Sequence, residues 1–407
     1  MSTRRLYMDN AATSFPKPPA VLEAMIHYAT AIGASAGRGA YCEAKESAAV
    51  LSQCRSRLQQ LFNGELAEHF IFTLNCTDAL NIAIKGLVLY QLKKGNKPHC
   101  ICTKIDHNSI LRPLNSMQEL GWITQTQVAI DPSTGLVDPQ DIRAAIRPNT
   151  CLVAMTHASN VTGTLQPLAK IAAIVREAGI PLVVDAAQSV GHVPIDVQAD
   201  LVDLLALPGH KGLLGPLGTG VLYVRPGIEK IMLPLREGGT GSVSEQPWQP
   251  QFMPDKFESG SHNAIGIAGL SAGVQWLMDW GPQRMVSHDR ELMATFIEGI
   301  SVVEIPGLRY FGPTGLANRV GVFSVRMDGF TPHELAAILE SRYGILTRPG
   351  IHCAPLAHEA IGTLADGGTT RFSFGPFMSQ SDVNFATDVL ADIMISRKEG
   401  RRLVNAQ

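Results

Sequence analysis

One cysteine in a Gly/Pro-rich loop is the first candidate for chemistry. In the stretch RPGIHCAPLAH, residues 348–358, Cys353 follows His352, and Arg348 lies five residues upstream. A free cysteine usually behaves as a small hydrophobic residue and is buried, whereas loops often carry catalytic residues. A nucleophilic thiolate must be accessible, and positive charge from His352 or Arg348 would lower the pKa of the thiol. We therefore expect Cys353 to be exposed and mobile.

A lysine before a glycine-rich loop is the second candidate. The segment LALPGHKGLLGPLGTGVLYV, residues 205–224, places Lys211 between a strand-like apolar run and several glycines. An ammonium group that loses water has a lowered pKa, which a lysine that bonds covalently to an aldehyde needs. A surface-loop lysine is the alternative from this segment alone. The run GPLGTG does not match GxGxxG, so the loop is not a nicotinamide fingerprint.

Two further segments suggest a phosphate-bearing cofactor. Asp185 ends the apolar run PLVVDAAQ, and a buried carboxylate there needs a cationic partner. The protonated ring nitrogen of pyridoxal phosphate would supply that charge. In TLNCTDALN, residues 73–81, a polar turn opens a helix whose N–H groups could bind phosphate together with the Thr77 hydroxyl. The alternative is that Thr77 or Asp78 only caps the helix.

The other cysteines do not indicate a metal site or a disulfide framework. There are 7 cysteines, an odd number without framework spacing, and no CxxC pair. Cys100 and Cys102 lie in the apolar run HCICTK, where we expect core positions on opposite faces of a strand, with metal binding as the alternative. The spacing of His352, Cys353 and His358 matches no usual zinc pattern. We expect no metal.

Length and composition limit the class of protein. The chain has 407 residues, 45% hydrophobic and 17% charged, with a net charge of −2. That length predicts two domains or one large domain with a satellite. No basic patch indicates a nucleic-acid partner. No apolar run has the length of a membrane span, and the N-terminus lacks a signal-peptide core. We expect a cytoplasmic protein with small-molecule and protein partners.

Strand-like and helix-like patterns alternate over the first half of the chain. The helical patterns are 79–94 and 167–179, the latter beginning at Pro167 and ending at Gly179. The strand-like segments are 69–74, 99–104, 127–130, 150–159, 181–188, 201–209 and 218–224. This alternation predicts an α/β fold with a mostly parallel sheet covered on both faces. Ligands in such sheets bind beyond the carboxyl ends of the strands.

The pattern changes after residue 225. A Gly/Ser/Pro-rich passage at 237–255 lacks periodicity, so it is either functional or a boundary. Beyond it, helices near 264–300, a strand at 320–327, a capped helix beginning TPHE, a strand at 371–377 and a helix at 381–396 predict an α+β unit. We therefore predict a large domain over 15–255 and a small C-terminal domain over 256–407. The segment 1–14 is expected to pack near the small domain.

Ten short segments resemble, in this order, motifs of the cysteine desulfurase family, the aminotransferase class V branch of the fold-type I pyridoxal-phosphate-dependent enzymes. They are YMDNAATSFPKP (7–18), SAGRG (35–39), NCTDALN (75–81), KIDHNS (104–109), THASNVTGT (156–164), DAAQSVGH (185–192), PGHKGLLGPLGTG (208–220), GGTGS (238–242), RPGIHCAPLAH (348–358) and TTRFSFG (369–375). The resemblance covers nearly the whole chain. It implies a seven-stranded, mostly parallel sheet in the large domain.

The resemblance also implies an activity and residue roles. The enzyme would use pyridoxal 5'-phosphate to convert L-cysteine to L-alanine, and sulfur would pass to Cys353 as a persulfide. Lys211 would bind the cofactor aldehyde and move the substrate α-proton, and His107 would stack on the cofactor ring. The implied cofactor-binding residues are Cys76, Thr77, His107, Asn160, Asp185, Gln188, His210, Lys211 and, across a homodimer interface, Thr240. The implied substrate-binding residues are Asn10, Ala11, Arg38, Arg348 and Arg371, with Arg371 gripping the carboxylate.

Some features leave alternatives open. Pro208 stands where many relatives have a Ser or Thr whose hydroxyl contacts the phosphate. Cys76 and Asp78 are also unusual in the phosphate turn, so the phosphate contacts of this chain are expected to differ from those of the family. Arg371 follows Cys353 by only 18 positions. This short connection resembles the branch of the family with a compact cysteine loop, which depends on a sulfur-acceptor protein, for example in iron–sulfur cluster biogenesis. The alternatives are a selenocysteine lyase, another class V pyridoxal-phosphate enzyme such as a transaminase, or a non-catalytic sulfur-carrier relative.

Overall fold

The computed structural model describes residues 5–37, 39–302 and 307–398. The strands are β1 Leu6–Tyr7, β2 Phe70–Thr73, β3 His99–Thr103, β4 Thr124–Val128, β5 Thr150–Thr156, β6 Leu182–Asp185, β7 Leu204–Pro208, β8 Gly220–Val224, β9 Leu308–Tyr310, β10 Val322–Met327, β11 Ile345–Leu346, β12 Arg348–Gly350 and β13 Thr369–Ser373. The helices are α1 Pro19–His27, α2 Cys42–Phe62, α3 Cys76–Lys93, α4 Asn108–Glu119, α5 Pro139–Ala145, α6 Leu168–Glu177, α7 Ala264–Trp280, α8 Pro282–Val302, α9 Pro332–Tyr343, α10 Pro355–Ala360 and α11 Gln380–Lys398.

The central sheet has seven strands in the order β2-β8-β7-β6-β5-β3-β4. Strand β8 runs antiparallel to both neighbours, and the other adjacent pairs are parallel. Because parallel neighbours need a crossover connection, most strands are followed by a helix, as the alternating pattern predicts. The predicted α/β class with a mostly parallel seven-stranded sheet is confirmed.

Both faces of this sheet are covered by apolar side chains, because successive strand residues point to opposite faces. Ile101 belongs to the core on one face, and Cys100 and Cys102 belong to the core on the other. The expectation that these two cysteines lie on opposite faces is wrong, since residues two apart on a strand share a face. Both thiols are buried, and the described residues contain no group of three or more metal-ligating side chains.

The C-terminal part forms a four-stranded sheet in the order β12-β13-β10-β9, whose adjacent pairs are antiparallel. Its core includes side chains of α8, α9 and α11, and the N-terminal Leu6 and Met8 pack in the same core. Strand β1 pairs with β11. Helix α9 begins with the predicted capping box of Thr331 and Glu334 and ends at Gly344 with φ 69°.

Helix α7 lies after the predicted boundary at residue 255 but packs with the central sheet. Its buried Ile267, Leu270 and Val274 belong to the core on one face of that sheet. The boundary at 255 stays a prediction, and this packing favours a boundary after Trp280. No helix in the described ranges combines the length and apolarity that crossing a membrane requires.

Candidate active site

A cavity of about 110 Å³ lies at the carboxyl ends of β2, β3, β5, β6 and β7. This edge is where ligands bind in open α/β sheets. The cavity is lined by Asn75, Cys76, Thr77, His107, Ser109, Thr156, Ala158, Asn160, Asp185, Ala187, Gln188, Pro208, His210 and Lys211. Eight of the predicted cofactor-binding residues therefore meet in one place.

Lys211 and Asp185 are the two central charges of the cavity. Burial lowers the pKa of Lys211, and Asp185 opposes that change. Burial raises the pKa of Asp185, and the Ala187 N–H, which donates to Asp185 Oδ1 at 2.9 Å, opposes it. Among the described residues, no cationic side chain forms an ion pair with Asp185. A buried carboxylate without a cationic side chain beside it could pair with the protonated ring nitrogen of a bound cofactor.

The turn before α3 presents a helix N-terminus and a hydroxyl to the cavity. The Oδ1 atom of Asn75 accepts the Asp78 N–H at 2.9 Å, so Asn75 is the cap. The N-cap is therefore neither Thr77 nor Asp78, although Asp78 Oδ2 accepts the Leu74 N–H at 3.0 Å just before the helix. The Thr77 hydroxyl instead lies 2.8 Å from Ser109 Oγ. Cys76 Sγ lies 3.5 Å from Asp185 Oδ1.

His107 is the N-cap of α4 and lines the same cavity. Its Nδ1 accepts the Ser109 N–H at 3.1 Å and lies 2.9 Å from Ser109 Oγ. Burial, assisted by the charge of Lys211, lowers the pKa of His107 to about 4. The ring is therefore neutral at pH 7, with its proton on Nε2. Sequence reasoning missed Ser109, although it ends the quoted segment KIDHNS.

A buried carboxylate, Asp106, links the ends of two neighbouring strands beside the cavity. Asp106 accepts the N–H groups of Thr103 and Thr156, both at 2.7 Å, and so joins the ends of β3 and β5. Burial raises the pKa of Asp106 to about 7. Its position immediately before His107 is the signal in the sequence that could have drawn attention to it.

The N-terminal segment holds the loop of the central lysine. The carbonyl oxygen of His210 accepts from Ser14 N–H at 3.1 Å and from Lys17 Nζ at 2.7 Å. Ser14 Oγ also donates to the Lys211 carbonyl at 3.0 Å. Burial lowers the pKa of Lys17 to about 8. The Nδ1 atom of His210 is buried and has no partner among the described residues.

Cys353 is exposed, as predicted, but its loop is tightly held. Residues His352 and Cys353 have φ values of 51° and 59°, in the left-handed region. The His352 carbonyl accepts Asn160 Nδ2 at 2.6 Å, and the Cys353 carbonyl accepts the Asn108 N–H at 2.8 Å. These bonds secure a strained turn that few non-glycine residues adopt. The backbone of this turn is therefore bonded to Asn108 and Asn160, and the mobility of Cys353 stays a prediction.

His352 does not supply positive charge to the thiol. Its ring is buried and bonds to Thr369 Oγ1 at 3.2 Å. Burial, assisted by the charge of Arg371, lowers the pKa of His352 to about 2, so the ring is neutral at pH 7. The expectation that His352 supplies positive charge beside the Cys353 thiol is wrong, because burial removes that charge.

Arg371 lies on β13 and is almost fully buried. Its Nη1 donates to the Asn160 carbonyl at 3.2 Å, and its Nη2 donates to Asp9 Oδ1 at 2.8 Å. Arg348 is its cross-strand neighbour on β12. Both charges contribute to lowering the pKa values of His107 and Lys211, so both act electrostatically on the cavity.

The other predicted site residues are placed as follows. Gln188 Nε2 donates to the Ala11 carbonyl at 3.0 Å, and Ala11 N–H donates to Ser373 Oγ at 2.8 Å. Asn10 is buried and donates to the Ser373 carbonyl at 3.3 Å. Thr240 does not line the cavity of Lys211, but lies in a separate groove of about 550 Å³. Arg38 lies outside the described residues.

The donor set fits pyridoxal 5'-phosphate. Lys211 has the lowered pKa that bonding to an aldehyde needs, and Asp185 lacks a side-chain cation. The start of α3 and the unpartnered Nδ1 of His210 would suit phosphate oxygens. Pro208 lines the cavity without a hydroxyl, so the phosphate contact that is common in relatives is absent at this position.

Comparison with known proteins agrees with this arrangement. A family model described as Aminotransferase class-V matches residues 6–385. The chain belongs to this family. A probable cysteine desulfurase of Methanothermobacter thermautotrophicus is 33% identical over 390 residues, covering 95% of this chain and 94% of the relative. One from Pyrococcus abyssi is 32% identical, covering 97% and 96%.

Solved structures also resemble this class V chain. The apo structure of a cysteine desulfurase from Thermococcus onnurineus has a TM-score of 0.88 at 30% identity and covers 96% of this chain and 95% of that one. A cysteine desulfurase structure from Escherichia coli has a TM-score of 0.84 at 27% identity and covers 96% and 94%. The fold-type I architecture is therefore confirmed.

Four buried histidines make the stability of this class V chain sensitive to acid. Burial lowers the pKa of His99, His157 and His358 to about 4, and that of His352 to about 2. Between pH about 6.5 and 4 these four histidines bind more protons in the unfolded chain than in the folded chain, so their contribution to stability falls as the pH falls. Asp106, whose pKa burial raises to about 7, opposes this change by about one proton. We expect the free energy of unfolding to fall by roughly 1.4 kcal/mol per pH unit for each histidine. Urea unfolding at several pH values would measure this slope.

A matched pair of variants checks the origin of the slope. His358→Gln should reduce the slope by about one proton, because the variant lacks one buried imidazole. His333→Gln changes an exposed histidine on α9 and should leave the slope unchanged. Equal slopes for wild type and His358→Gln would contradict the assignment.

Proposed function

We propose that this chain is a pyridoxal-phosphate-dependent cysteine desulfurase that converts L-cysteine to L-alanine. The observation that carries the proposal is the position of the exposed Cys353. Its carbonyl is bonded to Asn108, next to His107, and the preceding carbonyl is bonded to Asn160. Because His107 and Asn160 both line the cavity of Lys211, the backbone of Cys353 is held near that cavity, which supports a role for its thiol as the nucleophile.

Some residues of the cavity would bind the cofactor, and others would transfer a proton. When bound, the cofactor supplies an electron sink that lets the substrate α-proton leave. Asp185 would keep the ring nitrogen of the cofactor positively charged, and the first turn of α3 with Thr77 and His210 would hold its phosphate. Lys211, whose burial lowers the pKa of its ammonium, accepts and returns the α-proton. Because the ring of His107 is neutral and its Nδ1 is an acceptor, His107 can donate a hydrogen bond only through Nε2–H.

Arg371 and Cys353 act on the substrate itself. Arg371 binds the substrate α-carboxylate with its planar guanidinium, and Arg348 adds positive charge. The Cys353 thiolate attacks the substrate sulfur, so the carbon–sulfur bond breaks and a sulfur–sulfur bond forms on Cys353. L-Alanine leaves after protonation of the β-carbon, and the persulfide carries the sulfur.

Turnover of L-cysteine by the cofactor-loaded protein tests this proposal. With a reductant present to release persulfide sulfur, alanine and sulfide should form in equal amounts. A parallel assay with L-selenocysteine separates the alternative of a selenocysteine lyase. Keto-acid formation without sulfide would indicate transamination, and cofactor binding without any product would indicate a non-catalytic sulfur-carrier relative.

We also propose a homodimer in which Thr240 reaches the phosphate of the other subunit. Thr240 lines the separate groove of about 550 Å³. Exposed apolar side chains on α1 and α7, namely Leu22, Ile26 and Ile265, support a protein interface. We expect sedimentation to show a dimer at assay concentration, and Thr240→Val to weaken cofactor retention about tenfold. An active monomer would contradict the assignment of Thr240.

The sulfur is proposed to pass to an acceptor protein in the cytoplasm. The thiol of Cys353 is exposed, so a partner can reach its persulfide. All seven cysteines are free, which suits a reducing compartment. Delivery to iron–sulfur cluster assembly is one such use. Labelled sulfur on a candidate acceptor after incubation with the loaded enzyme would identify the recipient.

A further inference from the structure

The ion pair between Asp9 and Arg371 joins the N-terminal segment to the small-domain sheet. Asp9 Oδ1 lies 2.8 Å from Arg371 Nη2, and the Arg371 side chain is only 2% exposed. A second nitrogen, Nη1, donates to the Asn160 carbonyl at 3.2 Å. The Nε atom of Arg371 is buried without a partner among the described residues. The guanidinium is therefore held at two nitrogens, and its Nε–H is among the donors that are not used.

The charges around this pair are unbalanced. Arg348 lies directly opposite Arg371 on the neighbouring strand. Within residues 5–37, 39–302 and 307–398, Asp9 is the one carboxylate in an ion pair with either arginine. Burial lowers the pKa of Arg371, Asp9 opposes that change, and Arg348 adds to it. The two neighbouring guanidinium groups therefore have one paired carboxylate between them, on Arg371 alone, and a second carboxylate would complete the balance.

The backbone of Asp9 is bonded to Tyr7 and lies next to β13. The Tyr7 O–H donates to the Asp9 carbonyl at 3.1 Å, and Asp9 forms a parallel bridge with Ser373 on β13. Burial and the charge of Asp9 raise the pKa of Tyr7 to about 12. Tyr7 therefore stays neutral at pH 7 and does not act as a second anion for the arginines.

We infer that Asp9 is a positioning residue for the recognition of the substrate carboxylate. By fixing one edge of Arg371, Asp9 leaves the Nε–H donor and the charge of Arg348 for the incoming α-carboxylate. This inference rests on the proposed function, in which Arg371 binds that group. The opposite behaviour, in which Asp9 only competes with the substrate, would make carboxylate binding stronger when Asp9 is removed.

Two ligands that differ only in the carboxylate test the inference. L-Alanine carries the α-carboxylate, and L-alaninamide replaces it with a neutral amide. Calorimetric titration of the holoenzyme gives the ratio of the two affinities. We expect Asp9→Asn to lower this ratio at least about fivefold, because an interaction with a charged group is lost. The affinity for L-alaninamide should change less than about twofold.

A matched control and a second variant keep the test decisive. Asp328→Asn removes an exposed carboxylate that also pairs with an arginine, Arg309, at 3.3 Å, and should leave the ratio unchanged. If Asp9→Asn does not fold, Asp9→Glu moves the carboxylate by one methylene and should also lower the ratio. An unchanged or increased ratio in the Asp9 variant that folds would overturn the inference.

One more variant tests the role of Arg371 in carboxylate binding separately from the role of Asp9. Arg371→Lys keeps a positive charge but loses the forked geometry, so it should lower the ratio. If Arg371→Lys lowers the ratio and the Asp9 variants do not, the inference fails and the assignment of Arg371 stands. If Arg371→Lys leaves the ratio as in the wild type, the carboxylate assignment fails and the role of Asp9 fails with it.

Discussion

Replacing Cys353 with alanine is expected to reduce alanine release from L-cysteine to background, a loss on the order of a thousandfold. The variant removes the sulfur nucleophile but leaves Lys211, Asp185 and the rest of the cavity in place. Cofactor absorbance should therefore stay intact. The measurement is alanine formed by the cofactor-loaded protein in the presence of a reductant, together with mass spectrometry of the peptide that contains residue 353.

Cys42 supplies the matched control, because it is the other exposed cysteine. Its Sγ lies 3.5 Å from Glu46 Oε1, and the hydrogen bond to Glu46 raises the pKa of the Cys42 thiol. The Cys42→Ala variant should retain full activity, since a smaller thiolate fraction makes Cys42 a poor nucleophile. Equal alanine release from Cys353→Ala and the wild type would remove Cys353 from the mechanism.

Replacing Lys211 with alanine is expected to abolish turnover because it removes the group that bonds to the cofactor and moves the proton. Lys211 is the lysine that lines the cavity beside Asp185, and its lowered pKa suits both bonding to an aldehyde and moving a proton. The loss should be at least about a thousandfold. The second readout is covalent: after borohydride reduction, the wild-type peptide with Lys211 should carry the cofactor mass.

The control for Lys211 is Lys170→Ala on the exposed surface of α6. This variant should retain both turnover and the labelled Lys211 peptide. Cofactor found on another lysine of the wild-type protein would contradict the assignment of Lys211. Turnover retained by Lys211→Ala would exclude Lys211 as the proton carrier.

The sequence determined the arrangement of the large sheet to a considerable degree. Buried strands read as short apolar runs and the helices between them have their own periodicity, so both are local signals. The predicted strand over 218–224 appears as β8, Gly220–Val224, and the predicted helix over 79–94 appears as α3, Cys76–Lys93. The observed ends of these elements differ from the predicted ones by a few residues, because turn geometry and capping residues such as Asn75 determine where a helix or strand ends.

The sequence also indicated which residues gather at one edge of the sheet. Asp185 ends a strand, His107 and Lys211 each follow one, and the carboxyl ends of parallel strands meet at one edge. The structure brings all three to one cavity. The strand pattern thus predicted the edge of the sheet, whereas the place of His107 in the site was implied by the family resemblance, and neither gave the hydrogen bonds.

Only the tertiary structure decided how the reactive groups are held. Arg371 contacts Asp9 across 362 residues, and Asn160 contacts the His352 carbonyl across 192 residues. Neither partner leaves a local pattern, because side-chain direction in a loop depends on packing with distant segments. Burial also turned His352 from an expected positive charge into a neutral ring. The sequence thus determined the elements and the chemical groups, whereas long-range packing decided their partners and their charge states.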